Sequence, residues 1–582
     1  MVNRRDVLAG LPAAALASSA SAAPPSRVRP LTAQGEVNLA AFARLMAHVR
    51  FFHAGDAAAS ADWNAFAVST IETVETAASP GDLAARLGEA FGPLTPRMTI
   101  HGGPPPAAKP AEEPTDGRTL VMWRHRGVGL KTNPLYNSAR IPVPGGKPRI
   151  MLLDLGGGVT AVMPVTAYSA DPALQPQTPS PPLDSYSPDD RAVRLAGVAI
   201  AWGVLQHFYP YFDVVQTDWD AELPKALRTA ATDPDAEAFK RTLERMTVAL
   251  HDGHGMVTRG AAVPYLPAEW SWIERRLVVT VGAPGLPVGS IVDRIDGTPV
   301  TERLARIEPL IASATPQWRR AKAVQLLGRR PDGTPARLEG QGPDGARLRA
   351  TLAPRPGLEV AEWIKAGRRT AHFSQPRPGL LYIDLNRVTP EDLTDRLDVL
   401  ARARGVVLDV RRYPSPAARE LFFHLRDRTL RSPIFETPIA ILPDRKNVVF
   451  DGRGRWALEP KTPVATGRLV LLVGAGSMSQ CESYASIFEG EKLGPIVGST
   501  TAGTNGDINR LNLPGGYQMI FTGLRVRKHD GSTYHGVGVA PTDPVEPTLA
   551  GIRAGRDEVL ERGIALADQA QVSPASSAPA GR

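Results

Sequence analysis

The sequence predicts a multidomain α/β protein, and three observations carry that expectation. At 582 residues the chain exceeds what one hydrophobic core sustains, so several domains follow. Its C-terminal part holds short apolar runs, "GVVLDV", "RLVLLVG" and "LGPIVGS", separated by helical periodicity. Such runs read as strands buried on both faces of a layered sheet. Ahead of them lie one region with apolar residues at three- and four-residue spacing and another with alternation broken by Gly, Asp-Gly and Pro turns.

Taken in order, residues 1–23 ("MVNRRDVLAGLPAAALASSASAA") place two arginines before a weakly apolar, Ala-rich stretch with small residues at its end. This pattern predicts a signal peptide of the twin-arginine type, and with it a periplasmic or secreted protein. Residues 31–170 predict an α+β domain, with a helix near "VNLAAFARLMAHVRFFHAG" and strands in "RTLVMWRHRGVGL" and "PRIMLLDLGGGVTAVMPV". A Pro-rich linker, 171–190, follows, since such composition favours extended, solvated backbone. Residues 189–260 predict a helical region, 262–355 a β-rich module, 370–567 the α/β core, and 568–582 a disordered tail.

Composition excludes several roles. Hydrophobic residues make up 43% and charged residues 22%, the balance of a globular protein. The net charge of +8 is not gathered into a Lys/Arg stripe interleaved with aromatics, so nucleic acid is not expected as a partner. No apolar run approaches the roughly 20 residues that span a bilayer. A single cysteine permits no intramolecular disulfide.

The chemistry concentrates in "VGAGSMSQCESYASIFEG", residues 473–490, which reads as strand, Gly-rich turn and helix. A serine on such a turn is held out at the strand end, where the first amides of the helix face any oxyanion bonded to it. A serine nucleophile needs a base, and "VALHDGHGMV" offers His251 and His254 on a Gly-punctuated turn. Metal binding is not expected there, because the spacing is not that of a helical HExxH site and no third ligand is evident.

In series, these motifs resemble the tail-specific (C-terminal-processing) serine peptidases, in particular the branch related to the tricorn core. "ALHDGHGMV", "VGSIVDRIDGTPV", "GVVLDVRRYPSP", "GSMSQCES", "LGPIVGSTTAGTNG" and "HGVGVAPTDPVEPT" follow in the family's order. The resemblance implies a crotonase/ClpP-like α/β core with a PDZ-like module at 262–355. It places the nucleophile on Ser479, three residues before Glu482. Ser477, Cys481 and Ser483 are then neighbours. The family's lysine base falls on Thr504, which cannot serve as a base near neutral pH. The tricorn-like histidine falls on His254, and an imidazole base implies activity rising through about pH 6 to 7.

The amides of Gln480 and Ser415 are then the expected oxyanion donors; Ser415 and Pro416 replace a Gly-Gly pair, and Pro416 has no N–H to offer. The residue expected to orient the histidine falls near His535, which is not a carboxylate, so Asp252, Glu482 and Asp507 stand as candidates for that role. The expected function is an exported serine endopeptidase acting on polypeptides, with no metal and no organic cofactor. A binding protein on a peptidase scaffold is the main alternative; a small-molecule esterase or amidase is a weaker one.

Overall fold

The computed structural model describes residues 28–106, 117–127, 136–171, 182–368, 370–452 and 454–569. The expected signal peptide, the middle of the Pro-rich linker and nearly all of the expected tail lie outside these residues.

A parallel sheet forms the scaffold of the C-terminal part. Its order is Phe373–Arg377, Leu380–Asp384, Gly405–Asp409, Arg468–Val473, Ile496–Gly498 and Asp543–Pro544, with only the first strand antiparallel to its neighbour. The three runs read as buried strands are in this sheet, and Gly405–Asp409 is buried at every position. Helix Gln480–Gly490 covers one face and helix Glu558–Ala567 the other, each over its own apolar cluster.

Residues 269–352 build a separate antiparallel sheet: Glu269–Ile273, Arg276–Val281, Ile291–Ile295, Ala336–Gln341 and Arg347–Leu352. Helices Val300–Ile307 and Pro316–Leu326 pack on it, and the cluster beneath includes Leu277, Val279, Val292, Leu338 and Val324.

The N-terminal and helical regions share a single core. Helix Arg191–Phe208 starts at the Asp190 cap and is buried at every residue, as expected of a helix that is apolar on all sides. Helix Ala33–Phe52 lies against it; a Cβ on Gly203 would stand 2.6 Å from Ala47 Cβ, so glycine permits the close crossing. Arg191 and Glu75 close a two-pronged buried ion pair between the regions, at 2.6 and 2.9 Å.

Two further sheets join sequence-distant parts. Ile434–Ala440, from the C-terminal half, pairs with Thr119–Arg126, which pairs in turn with Asn137–Pro142. Met256–Arg259, following the helical region, pairs with Tyr517–Thr522. Among the described residues no helix is long and apolar enough to cross a membrane.

The buried histidines predict how stability depends on pH. Burial pushes His53, His125 and His254 down from 6.5 to about 4. As pH falls below 6.5 the unfolded chain therefore takes up protons that the folded chain refuses. The stability is complete above about pH 6.5 and is lost as pH falls toward 4. By pH 5 the loss is about 2 kcal/mol per histidine. Glu482, raised to about 7 by burial, acts in the opposite sense, as do the raised carboxyls of Asp233 and Glu546, but burial also lowers His207 and His535, so the histidines outnumber them. Urea midpoints should therefore drop between pH 7.5 and pH 5; a flat profile would contradict the burial of these rings.

Candidate active site

The strand Arg468–Val473 ends the middle of the parallel sheet, and the chain turns through residues 474–479 into helix Gln480–Gly490. Ser477 ties down this turn. Its hydroxyl donates to Val410 O (2.9 Å) and accepts from Gly474 N–H (3.0 Å).

Ser479 sits at the N-cap position but makes no capping bond, and its backbone lies at φ 55°, ψ −114°. A positive φ on a non-glycine residue is strained, and here it stands at a strand-to-helix elbow. The same geometry holds out the nucleophile in hydrolases built on sharp strand-to-helix turns. Cys481, by contrast, is fully buried and its thiol is pushed up to about 12, so it holds no thiolate.

The elbow is held from the facing loop. Ser479 N–H donates to Thr504 O (2.8 Å) and Ala502 N–H to Ser477 O (2.9 Å). Glu482, on the first turn of the helix, accepts from Thr501 Oγ1 (2.5 Å), Gly503 N–H (2.7 Å) and Thr504 N–H (2.8 Å). Burial outweighs these donors and raises its carboxyl to about 7. Glu482 thus anchors the loop, and its carboxylate does not bond His254.

The histidine turn arrives from the other side. Helix Ala236–Ala249 ends at Leu250, and His251 takes φ 50° before Asp252, Gly253 and His254. The turn packs directly on Thr504: a Cβ on Gly253 would stand 2.1 Å from Thr504 Oγ1 and 2.9 Å from Trp318 Cδ1. Gly253→Ala is therefore expected to push the histidine turn away from the loop. A cost of about 1–3 kcal/mol in stability is typical of such overpacking. Comparing its melting temperature and kcat with the parent chain checks this; an unchanged kcat would mean that the contact does not position His254.

Behind His254 stands a relay. The register of Met256–Arg259 against Tyr517–Thr522 pairs Met256 with Ile520; continued two residues, it sets Thr522 opposite His254. His254 Nδ1 lies 2.8 Å from Thr522 Oγ1, which lies 2.6 Å from Asp252 Oδ1. The Asp252 carboxylate also accepts from the amides of Thr522 (2.6 Å) and His254 (3.0 Å). A hydroxyl has one proton, and here it goes to the carboxylate, which can only accept. Thr522 Oγ1 then accepts from His254 Nδ1–H, so Nε2 carries the lone pair.

Nε2 is buried and makes no hydrogen bond among the described residues, so it is not bonded to Ser479 in this structure. Burial is the main reason the ring is held at about 4; Asp252 favours its protonation, while Lys322 and His535 oppose it. The ring is neutral well below the pH 6 to 7 expected from an ordinary imidazole.

Of the three candidate carboxylates, Asp252 is the one bonded into this relay. Asp507 contributes only a weak attraction to a His254 imidazolium. His535 is spent elsewhere, stacked on Tyr211 at 4.1 Å with Nε2–H donating to His251 O (2.9 Å).

The oxyanion donors differ from expectation. Gln480 N–H is the first amide of its helix and so has no acceptor within the helix. Ser415 N–H instead donates to Leu385 O (2.8 Å) and its hydroxyl to Val388 O (2.6 Å). The turn after Gly405–Asp409 folds back onto the neighbouring strand's exit, and both Ser415 donors are consumed there. The expected two-amide hole is thus reduced to the Gln480 amide.

Two features were not expected from the sequence. One is Thr522. The other is the reach of helix Pro316–Leu326, part of the 269–352 sheet module, into both site loops. Trp318 Nε1–H donates to Gly253 O (3.0 Å) and Lys322 Nζ to Gly255 O (2.8 Å). Thr315 Oγ1 and Gln317 Nε2 donate to Ala502 O (2.8 Å) and Thr501 O (2.9 Å). Burial lowers the Lys322 ammonium to about 8.

A strained serine on an elbow, and a buried neutral histidine on a turn packed against the loop that holds that elbow, are parts of a serine hydrolase. Residues 435–545, which contain Ser479 and its facing loop, match the model of Peptidase family S41. That match takes in only this part of the chain, so it marks a likeness of residues 435–545 to the S41 peptidases. Among solved structures the chain is similar to mature CPAF complexed with lactacystin, with 15% identity and a TM-score of 0.51, over 64% of this chain and 97% of that one. At that identity the likeness is one of fold. Lower-scoring likenesses are to the photosystem II D1 C-terminal processing protease (16% identity, TM-score 0.37, 62% and 96% covered) and to the tricorn protease (15%, 0.36, 74% and 42%). No curated protein sequence matches the chain.

Proposed function

We propose that this chain is an exported endopeptidase in which Ser479 attacks the peptide carbonyl and His254 is the general base. The observation that carries this reading is the Ser479 backbone, strained at an elbow with its hydroxyl free of any capping bond. His254 Nε2 takes the serine proton and returns it to the leaving amine. Thr522 and Asp252 keep the proton on Nδ1 and stabilise the imidazolium that forms. Gln480 N–H meets the developing oxyanion, and rotation of the 413–416 turn off Leu385 O would supply a second donor. The core is read as crotonase/ClpP-like and the 269–352 sheet as a PDZ-like module that presents polypeptide to the site. Export rests on the twin-arginine pattern of residues 1–23.

A second reading, peptide binding without cleavage, is favoured by the committed Ser415 amide and the unbonded His254 Nε2. A fluorophosphonate probe separates the two: labelling at Ser479, lost in Ser479→Ala, supports the enzyme, and no labelling of the folded chain supports the binder.

A further inference from the structure

Away from Ser479, three side chains from distant parts of the chain converge where the N-terminal, helical and C-terminal regions meet. They are His48 on helix Ala33–Phe52, His207 on helix Arg191–Phe208, and Asp444 on the segment after strand Ile434–Ala440. One donor atom from each lies within 4.8 Å of the other two. The His48 and His207 side chains are 7% and 0% exposed.

Their hydrogen bonds fix which atoms carry lone pairs. His48 Nδ1 lies 2.7 Å from Arg44 O, and a carbonyl only accepts, so the ring proton is on Nδ1. The opposite nitrogen, Nε2, faces Asp444 Oδ2 at 3.1 Å. His207 Nδ1 accepts the Asp444 amide at 3.0 Å, so its proton is on Nε2, which is buried without a partner. Its Nδ1 lies 3.7 Å from Asp444 Oδ1.

The His48 lone pair therefore faces the Asp444 carboxylate, and the His207 lone pair, 3.7 Å from Oδ1, is held by the Asp444 amide beside it. Two electron-pair donors 3.1 Å apart repel unless a positive charge lies between them. Tetrahedral ligands about 2.0–2.2 Å from a zinc-like ion stand roughly 3.3–3.6 Å from each other, a span bracketed by the 3.1 and 3.7 Å separations here. A backbone carbonyl holding the far nitrogen, as Arg44 O does, is the usual support of a metal-bound histidine. A cavity of about 410 Å³ opens onto His207 and Asp444 and offers room for a water ligand and a path of entry.

We propose that His48 Nε2, His207 Nδ1 and the Asp444 carboxylate bind a divalent transition metal of the zinc class. Water completes the coordination, and the Asp444 amide gives up the His207 lone pair. The ion ties three regions of the chain together and takes no part in the chemistry at Ser479.

The test uses the untagged full chain, stripped with chelator and titrated with Zn²⁺ at pH 7.5. Expected are one metal per chain after gel filtration, a rise of several degrees in melting temperature at saturation, and unchanged fluorophosphonate labelling of Ser479. His48→Gln and Asp444→Asn should each weaken binding at least about tenfold, with the fold checked by circular dichroism. If either variant fails to fold, Co²⁺ added to the parent chain decides: intense visible bands of a low-coordinate N/O site support the proposal. Substoichiometric metal in the parent chain would overturn it and leave a protonated His48 as the charge that pairs with Asp444. Equal binding by folded variants would overturn it as well.

Discussion

Replacing Ser479 by alanine is expected to remove peptide hydrolysis while leaving the fold intact. The substitution takes away the elbow hydroxyl that makes no capping bond and keeps the backbone that Thr504 O holds. Loss of a serine nucleophile costs on the order of a million-fold in kcat where the rest of the machinery acts as a unit. Two neighbouring substitutions should behave differently. Cys481→Ala should keep most activity, because its thiol packs under the helix against Arg412 O. Ser477→Ala should lower stability by about 1–3 kcal/mol, because it strips the turn of both bonds to Val410 O and Gly474 N–H. Hydrolysis at parental rate by folded Ser479→Ala would end the assignment.

The second large effect is expected at the relay. His254→Ala should abolish turnover. Thr522→Val keeps the shape but removes the hydroxyl between Nδ1 and Asp252, so the ring is free to take the wrong tautomer. A fall on the order of 10²- to 10⁴-fold in kcat is expected, by analogy with tautomer errors in serine peptidases. Thr522→Ser should restore most of it.

The pH profile gives a separate readout. Because burial holds His254 at about 4, kcat/KM should already be near its plateau at pH 6 and fall only toward pH 4 to 5. The assay must be brief, since the same acid range unloads the fold. An acid limb centred at 6.5 would mean that the base is a solvated imidazole, and a limb near 8 would point to Lys322. Thr504→Ala should leave turnover largely intact; if it is inactive while His254→Ala works, the base lies elsewhere.

What the sequence revealed of this site follows the range of the interactions involved. The serine-bearing elbow was legible because a strand, a Gly-rich turn and a helix are consecutive in the chain; the choice of Ser479 within it came from the family resemblance. The strands "GVVLDV" and "RLVLLVG" were legible because burial on both faces leaves runs of consecutive apolar residues, with Asp409 and Arg468 only at or near their ends. Asp252 was one of three candidates, and only contact with Thr522 separates it from the others. Thr522 itself carried no signal, being 268 residues from His254 and joined to it by strand pairing. The loss of the Ser415 amide was equally hidden, since it depends on how closely one strand's exit approaches the next. His48 and His207 were silent for the same reason, with partners 396 and 237 residues away at Asp444.

The pairing of Thr119–Arg126 with Ile434–Ala440 bears on when this protein can finish folding. Arg126 meets Asp451 across 325 residues of chain, so the junction of Thr119–Arg126 with Ile434–Ala440 cannot form until most of the polypeptide exists. Contacts of such span are late and slow, because loop closure must precede any gain from burial. Until then only the His125–Arg126 end of the strand lacks its partner, since Thr166–Ser169 pairs with its Thr119–Met122 end. The N-terminal sheet is therefore begun by local pairings and completed at its His125–Arg126 end only by the C-terminal half.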